Sequence, residues 1–198
     1  SKVLFVDACA RGWEVSRTYA VAEAFMNAYR AQHPRDEIEE LTLAGLGLTY
    51  FTGKELEYRD ALLARGGQAD DYFKLARQFA AADKIAPYWD LSFPALLKVY
   101  IERVSVSGIT FSPEPDGRLR GLCRGEKMLL ITTSGGDFTH EDLSLYGTAL
   151  SYLRGICAMF GVDGFDYLWT HGLDIVGNDP EAILRGAKKQ AAAFAESW

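Results

Sequence analysis

The sequence predicts a three-layer α/β sandwich: a five-stranded parallel sheet of strand order 2-1-3-4-5 with helices on both faces. Three observations carry this reading. Strand-length apolar runs alternate with helix-length segments five times along the chain. The first run, KVLFVDA, is apolar without clean alternation, as in a strand covered on both faces. No linker, repeat or low-complexity stretch interrupts the 198 residues, so residues 1–198 are expected to form a single domain.

Residues 2–8 are the first predicted strand. Residues 16–32 place Tyr19, Ala22, Phe25, Met26 and Tyr29 near helical spacing, and His33-Pro34 ends that helix. Residues 36–43, DEIEELTL, alternate acidic and apolar residues, as an outer strand would. Residues 44–69 read as a loop-rich excursion around one charged, helix-compatible segment, and 70–83 as an amphipathic helix. KIAP, 84–87, reads as a very short third strand. A helix follows over 92–104, with Pro94 in its first turn, where the N–H it lacks has no partner to lose. Residues 107–125 carry Pro-Asp-Gly turn signals and read as a hairpin-like segment. Residues 126–136, EKMLLITTSGG, are a strand running into a glycine pair. Residues 143–161 form a helix weakened by Gly147 and Gly155, and 165–172 the last strand. The final helix spans 179–198, with Asp179 as N-cap and Pro180 at its first position.

Composition bounds the function. The chain is 48% hydrophobic and 24% charged, enough for a sizeable core. A net charge of −6 argues against general nucleic-acid binding but leaves room for a local basic pocket. Cys9, Cys123 and Cys157 are odd in number and far apart, and His33, His140 and His171 are isolated. Neither a disulfide framework nor a metal site is indicated, and a reducing cytoplasm is the expected location. No apolar run is long enough to span a bilayer and no signal peptide stands at the start, so no membrane association is expected.

In open α/β sheets ligands bind outside the carboxyl ends of the strands, near the point where strand order reverses. Three loops should meet there. The first, CARGWEVSRT (9–18), offers the hydroxyls of Ser16 and Thr18, the charges of Arg11 and Arg17, and the start of a helix, a set that suits a phosphate. The plainer reading makes Ser16 an N-cap and the arginines solvated. The loop has neither a Walker-type nor a dinucleotide glycine pattern. The second loop follows Pro87. Tyr88, Trp89 and Asp90 are either core residues or one wall of a site for a flat heteroaromatic ring, because all three need polar partners if buried. The third, TTSGGDF (132–138), brings the hydroxyls of Thr133 and Ser134 and the close backbone approach of Gly135-Gly136, or is simply a turn.

The run PYWDLSFPALLKVYIERV, the SGITF that follows it, and DGRLRGLCRGEKMLLITTSGG resemble the flavodoxin-like NAD(P)H:quinone oxidoreductases, and within them the FMN-dependent NADH:azoreductases. The likeness covers nearly the whole chain. It implies a flavodoxin-like fold, bound FMN in preference to FAD, NAD(P)H as co-substrate, and a homodimer with flavin sites at its interface. By position it implies phosphate contacts from Ser16, Arg17 and Thr18. Pro87, Tyr88, Trp89, Asp90 and Leu91 would line the ring, and Thr133, Ser134, Gly135 and Gly136 would close its pyrimidine side. Cys9 stands where such proteins commonly carry serine, Val15 interrupts the serine spacing, and the third strand looks short for the family. Pro113 and Met159 replace aromatic residues that shape the azoreductase substrate pocket. The implied reaction is ping-pong hydride transfer to a quinone, an azo compound or a related electron-poor aromatic acceptor, with His140 a candidate proton donor. Cys9 and Cys157 read as packing residues rather than nucleophiles. The apolar character of 92–104 and 143–161 favours a dimeric reductase. An FMN-binding electron carrier and a flavin-less regulatory member of the fold are the alternatives.

Overall fold

β1 (Lys2–Asp7), β2 (Glu37–Thr42), β3 (Lys84–Asp90), β6 (Lys127–Thr133) and β7 (Gly164–Thr170) form one all-parallel sheet of order β2-β1-β3-β6-β7. Counting only its own members, this is the predicted 2-1-3-4-5. The structure is a computed structural model that describes residues 1–90 and 94–198, and the side chains of all of these except Trp89 and Asp90. Leu91 therefore lies outside the described residues. The remaining strands, β4 (Phe111–Pro113) and β5 (Leu119–Gly121), pair as the antiparallel hairpin expected around Pro-Asp-Gly.

The sheet is buried on both faces because successive strand residues point to opposite sides. On one face Phe5, Ala86, Tyr88, Leu129 and Ile131 pack against α1 (Arg17–Gln32) and α7 (Pro180–Ser197). On the other, Leu4, Val6, Ile85, Met128 and Leu130 pack with residues of α2 (Gly53–Ala64), α3 (Lys74–Ala81), α4 (Ala95–Val104) and α6 (Thr148–Phe160). At the amino ends of the strands Lys84 Nζ donates to Tyr29 Oη at 2.9 Å and to the Trp198 carbonyl. The indole of Trp198 is buried edge-on to Phe25.

Several boundaries differ from the sequence reading. β3 is not short. It runs seven residues through Pro87 to Asp90, the length of β6. A proline in a central strand removes a ladder donor, which normally argues for a strand end. Here the Tyr88 carbonyl accepts from Ala8 N on the β1 side at 3.0 Å, so the missing N–H of Pro87 falls on the β6 side. There the register passes from Ile85↔Met128 to Tyr88↔Ile131, so the gap is confined to Ala86 and Pro87. Pro94 is the extended N-cap of α4 rather than part of its first turn. The segment 70–83 opens with a 3-10 turn, Asp71–Phe73, before α3. The segment 143–161 is two helices, α5 (Leu143–Tyr146) and α6, parted at Gly147, where a Cβ would lie 2.5 Å from the Leu143 carbonyl oxygen. Within α4 and α6 the apolar faces are spent on the core: Leu97, Tyr100, Ile101 and Val104 in one, Leu150, Leu153, Ile156 and Phe160 in the other, are buried. The expectation of an unusually apolar surface is thereby corrected for α4 and α6. Large exposed apolar side chains stand instead on loops, among them Trp13, Val15, Ile175 and Val176, and on the short α5, where Leu145 and Tyr146 are exposed.

Candidate functional site

The carboxyl ends of the strands carry the loops 8–16, 134–142 and 171–179, the last of which follows β7. Backbone hydrogen bonding continues past the sheet and fastens the second to the third. Ser134 N donates to the Thr170 carbonyl (2.8 Å), Leu173 N to Ser134 (3.2 Å), Asp174 N to Gly135 (3.0 Å) and Gly172 N to Gly136 (2.9 Å). This wall of the site is thus nearly an extension of the sheet.

Between it and the first loop lies a cavity of about 450 Å³. Ala8, Arg11, Val15 and Arg17 line one side, Thr133, Ser134, Gly135 and Asp174 the other, and Pro94 closes it. Arg17 is the first residue of the sixteen-residue helix α1, so the positive end of the helix dipole borders the cavity. Arg17 reaches across to Asp174 with two hydrogen bonds, 2.8 Å to Oδ1 and 3.2 Å to Oδ2. The guanidinium hydrogen bond holds the Asp174 carboxyl below its ordinary pKa, with the nearby charges of Arg17 and Arg11 adding to it. With two arginines, one carboxylate and a helix start, the cavity carries a positive balance that fits an anionic group such as a phosphomonoester.

The sequence-nominated residues separate into two shells. Arg11, Arg17, Thr133, Ser134 and Gly135 line the cavity, and Gly136 continues the loop in an exposed position. Cys9, Ser16, Thr18, Pro87 and Tyr88 are buried behind it. Ser16 caps α1 by accepting from Tyr19 N at 2.9 Å. The hydroxyls of Thr18 and Thr133 bond each other at 2.7 Å, pinning α1 to the end of β6. Tyr88 is 1% exposed on the α1 face, its ring edge-on to Tyr19, so it enters the site as strand backbone rather than as an aromatic wall. Burial is what raises its phenol pKa above the ordinary value. Trp89 and Asp90 complete β3 opposite Thr132 and Thr133. His140 is exposed on the turn after the glycine loop. Among the cysteines, Cys9 Sγ lies 3.8 Å from the Tyr88 carbonyl and Cys157 Sγ 3.8 Å from Met128 Sδ. Burial pushes the Cys157 thiol up to about 12, so it is protonated and unreactive near neutral pH.

Two residues that the sequence did not single out for the site belong to it: Asp174 and His171. Trp169 Nε1 donates to Ser134 Oγ (2.9 Å), which donates to the Gly136 carbonyl (2.9 Å). The His171 ring stacks on Trp169 with centroids 4.5 Å apart. A second cavity of about 310 Å³ shares Thr133 and Ser134 with the first and is walled by Phe138, Leu145, Tyr146 and Trp169. It could take a second, apolar ring beside the anion-binding one.

Comparison with known proteins agrees with this geometry. Residues 1–195 match a family model described as the flavodoxin-like fold. The chain is 39% identical over 203 residues to FMN-dependent NADH:quinone oxidoreductase 2 of Clostridium acetobutylicum, across 98% of this chain and 100% of the relative. It is 35% identical over 201 residues to the FMN-dependent NADH:quinone oxidoreductase of Caldicellulosiruptor saccharolyticus, across the full length of both. Among solved structures, an azoreductase from Bacillus anthracis superposes over all of both chains with a TM-score of 0.86 at 26% identity.

Proposed function

The chain belongs to the flavodoxin-like fold family, and from that premise we propose that it is an FMN-dependent NAD(P)H:quinone oxidoreductase of the azoreductase type. The observation that carries this reading is the positively balanced cavity where the start of α1 faces the Gly135 loop, in a chain matched end to end by FMN-dependent NADH:quinone oxidoreductases.

When bound, FMN supplies the chemistry, accepting hydride from the nicotinamide and yielding it to an electron-poor acceptor such as a quinone or azo compound. The protein binds and orients. Arg11 and Arg17, at the positive end of the α1 dipole, would hold the phosphate, with Ser16 and Thr18 fixing the helix start from behind. The ends of β3 and β6 position the ring edge, with backbone N–H groups of Gly135 and Gly136 as donors. The second cavity, walled by Phe138, Tyr146 and Trp169, offers the acceptor an apolar face beside the reacting ring. FMN is preferred to FAD because the relatives that match the chain end to end are FMN-dependent. We further read residues 1–198 as one flavin-binding unit acting as a homodimer in the cytoplasm. Three free cysteines support the reducing compartment, and exposed Trp13, Val15, Leu145, Tyr146, Ile175 and Val176 around the site support a partner surface there. Among the described residues no helix is long and apolar enough to cross a membrane.

The test is the visible spectrum of the purified protein, supplemented with FMN if colourless, followed by anaerobic NADH. Bound-flavin bands that bleach within seconds are expected. Flavin that stays oxidised would indicate a carrier reduced by another protein, and failure to bind FMN or FAD would leave a flavin-less member of the fold.

A further inference from the structure

The loop after β6 is restrained by side chains at the end of β7 in two parallel ways. Trp169 Nε1 to Ser134 Oγ to the Gly136 carbonyl is one. The second is the backbone N–H of Phe138 donating to His171 Nδ1 at 3.2 Å. A ring nitrogen that accepts an N–H carries a lone pair, so His171 is neutral here with its proton on Nε2. Ser134 Oγ also lies 3.5 Å from Nδ1, but its single proton has the nearer acceptor in Gly136. Stacking on Trp169 at an interplanar angle of 27° fixes the plane of the imidazole. Between the two anchors lie Gly135 and Gly136, the segment nearest the anion cavity.

We propose that His171 is a positioning residue for the cofactor: as a neutral imidazole it holds the 134–138 backbone in its binding conformation, and its protonation releases that loop and weakens FMN binding. The proposal rests on the reading that this loop meets the flavin. Protonated Nδ1 would aim an N–H at the Phe138 N–H, donor against donor, and the loop must move. Several charged groups surround the ring. Asp137 stands on the loop itself, its carboxylate engaged by Thr139 N and Oγ1. Beyond it His140 is exposed on the same turn. On the ring's own loop Asp174 is held by Arg17. The neighbours Trp169 and Phe138 are uncharged. Burial lowers the His171 pKa and Asp137 opposes this, with burial the larger effect. The neutral form therefore persists at neutral pH, and affinity falls as pH drops below the ordinary histidine value.

The experiment measures FMN binding by apoprotein, from quenching of flavin fluorescence, at about pH 8 and about pH 5.5. Wild type, His171→Gln and His171→Leu are compared. FMN's own phosphate titrates equally in all three, so the difference between variants isolates the imidazole. Glutamine keeps a neutral acceptor. It should bind within about threefold of wild type at high pH and lose about tenfold less affinity on acidification. Leucine offers no acceptor and should bind about tenfold more weakly at both pH values. Identical pH profiles for wild type and His171→Gln would overturn the proposal. So would wild-type affinity in a folded His171→Leu. If the leucine variant does not fold, the wild-type and glutamine profiles decide alone. Absence of FMN binding by wild type at high pH would overturn the functional reading and this role together, whereas tight binding with no difference between profiles removes only His171.

Discussion

Asp174 touches three parts of the site at once. Its N–H donates to Gly135, its carboxylate grips Arg17 at the start of α1, and it borders the cavity. Nothing in LDIVGN marks this aspartate as special in sequence, because its partners lie 39 and 157 residues away. His171 is equally silent: an isolated histidine two residues after a tryptophan has no motif until the fold stacks the two rings. Since the folded pKa of Asp174 is depressed, the Asp174–Arg17 contribution is complete above the ordinary carboxylate pKa. It is lost only as pH falls through the lowered value. Beside it Gly135 has no room for a methyl: a Cβ there would lie 2.3 Å from Asp174 Oδ2 and 3.0 Å from its Cβ. Gly135→Ala should therefore displace Asp174 from Arg17 and weaken FMN binding about tenfold. In an Asp174→Gly background the same substitution should cost far less, and equal costs in the two backgrounds, read by fluorescence titration, would show that the clash is not the cause.

At the scale of elements, the strands, helices and their order were legible because hydrophobic period and turn residues are local signals. The misreadings occurred where tertiary partners overrule them. Pro87 said stop, yet β3 continues because its neighbours β1 and β6 need only one of the two ladders interrupted at that step. Gly147 was read as a weakness in one helix and is instead the joint between two. The β4–β5 hairpin shows the same dependence on distant contacts. It docks on the end of α6, with Cys123 N bonding the Phe160 carbonyl at 3.0 Å and Phe111 stacked parallel to Phe160. At the crossing a Cβ on Gly121 would sit 2.1 Å from the backbone nitrogen of Gly161, itself the left-handed cap of α6 with φ of 79°. Backbone cannot yield as a side chain can. Gly121→Ala should destabilise the protein by about 1–3 kcal/mol, seen as a lower urea midpoint with an unchanged slope. A midpoint within error of wild type would mean the hairpin is free to lift.

For the whole molecule, the sheet divides the core into an α1/α7 side rich in aromatic rings and a larger side under α3, α4 and α6. Helices on both faces and ligand loops at one end follow from five alternations of strand and helix, whereas which helices share a side is visible only in the fold. The proposed homodimer rests on the family resemblance and on apolar residues of the loops and of α5 around the cavity, not on the faces of α4 and α6. Sedimentation should give twice the 21.9 kDa chain mass, and Leu145→Asp with Val176→Asp should halve it. A wild-type monomer would place those exposed side chains at the service of some other contact. One further arrangement has practical weight. Trp169 sits at the carboxyl edge of the sheet, stacked on His171 and bonded to Ser134, while Trp198 is sealed at the opposite edge against Phe25 and Tyr29. The chain is thus optically labelled at both poles by its own indoles: with Trp13 and Trp89 replaced by phenylalanine, removing one of these two as well leaves the other to report separately on events at the cavity or on loss of the core.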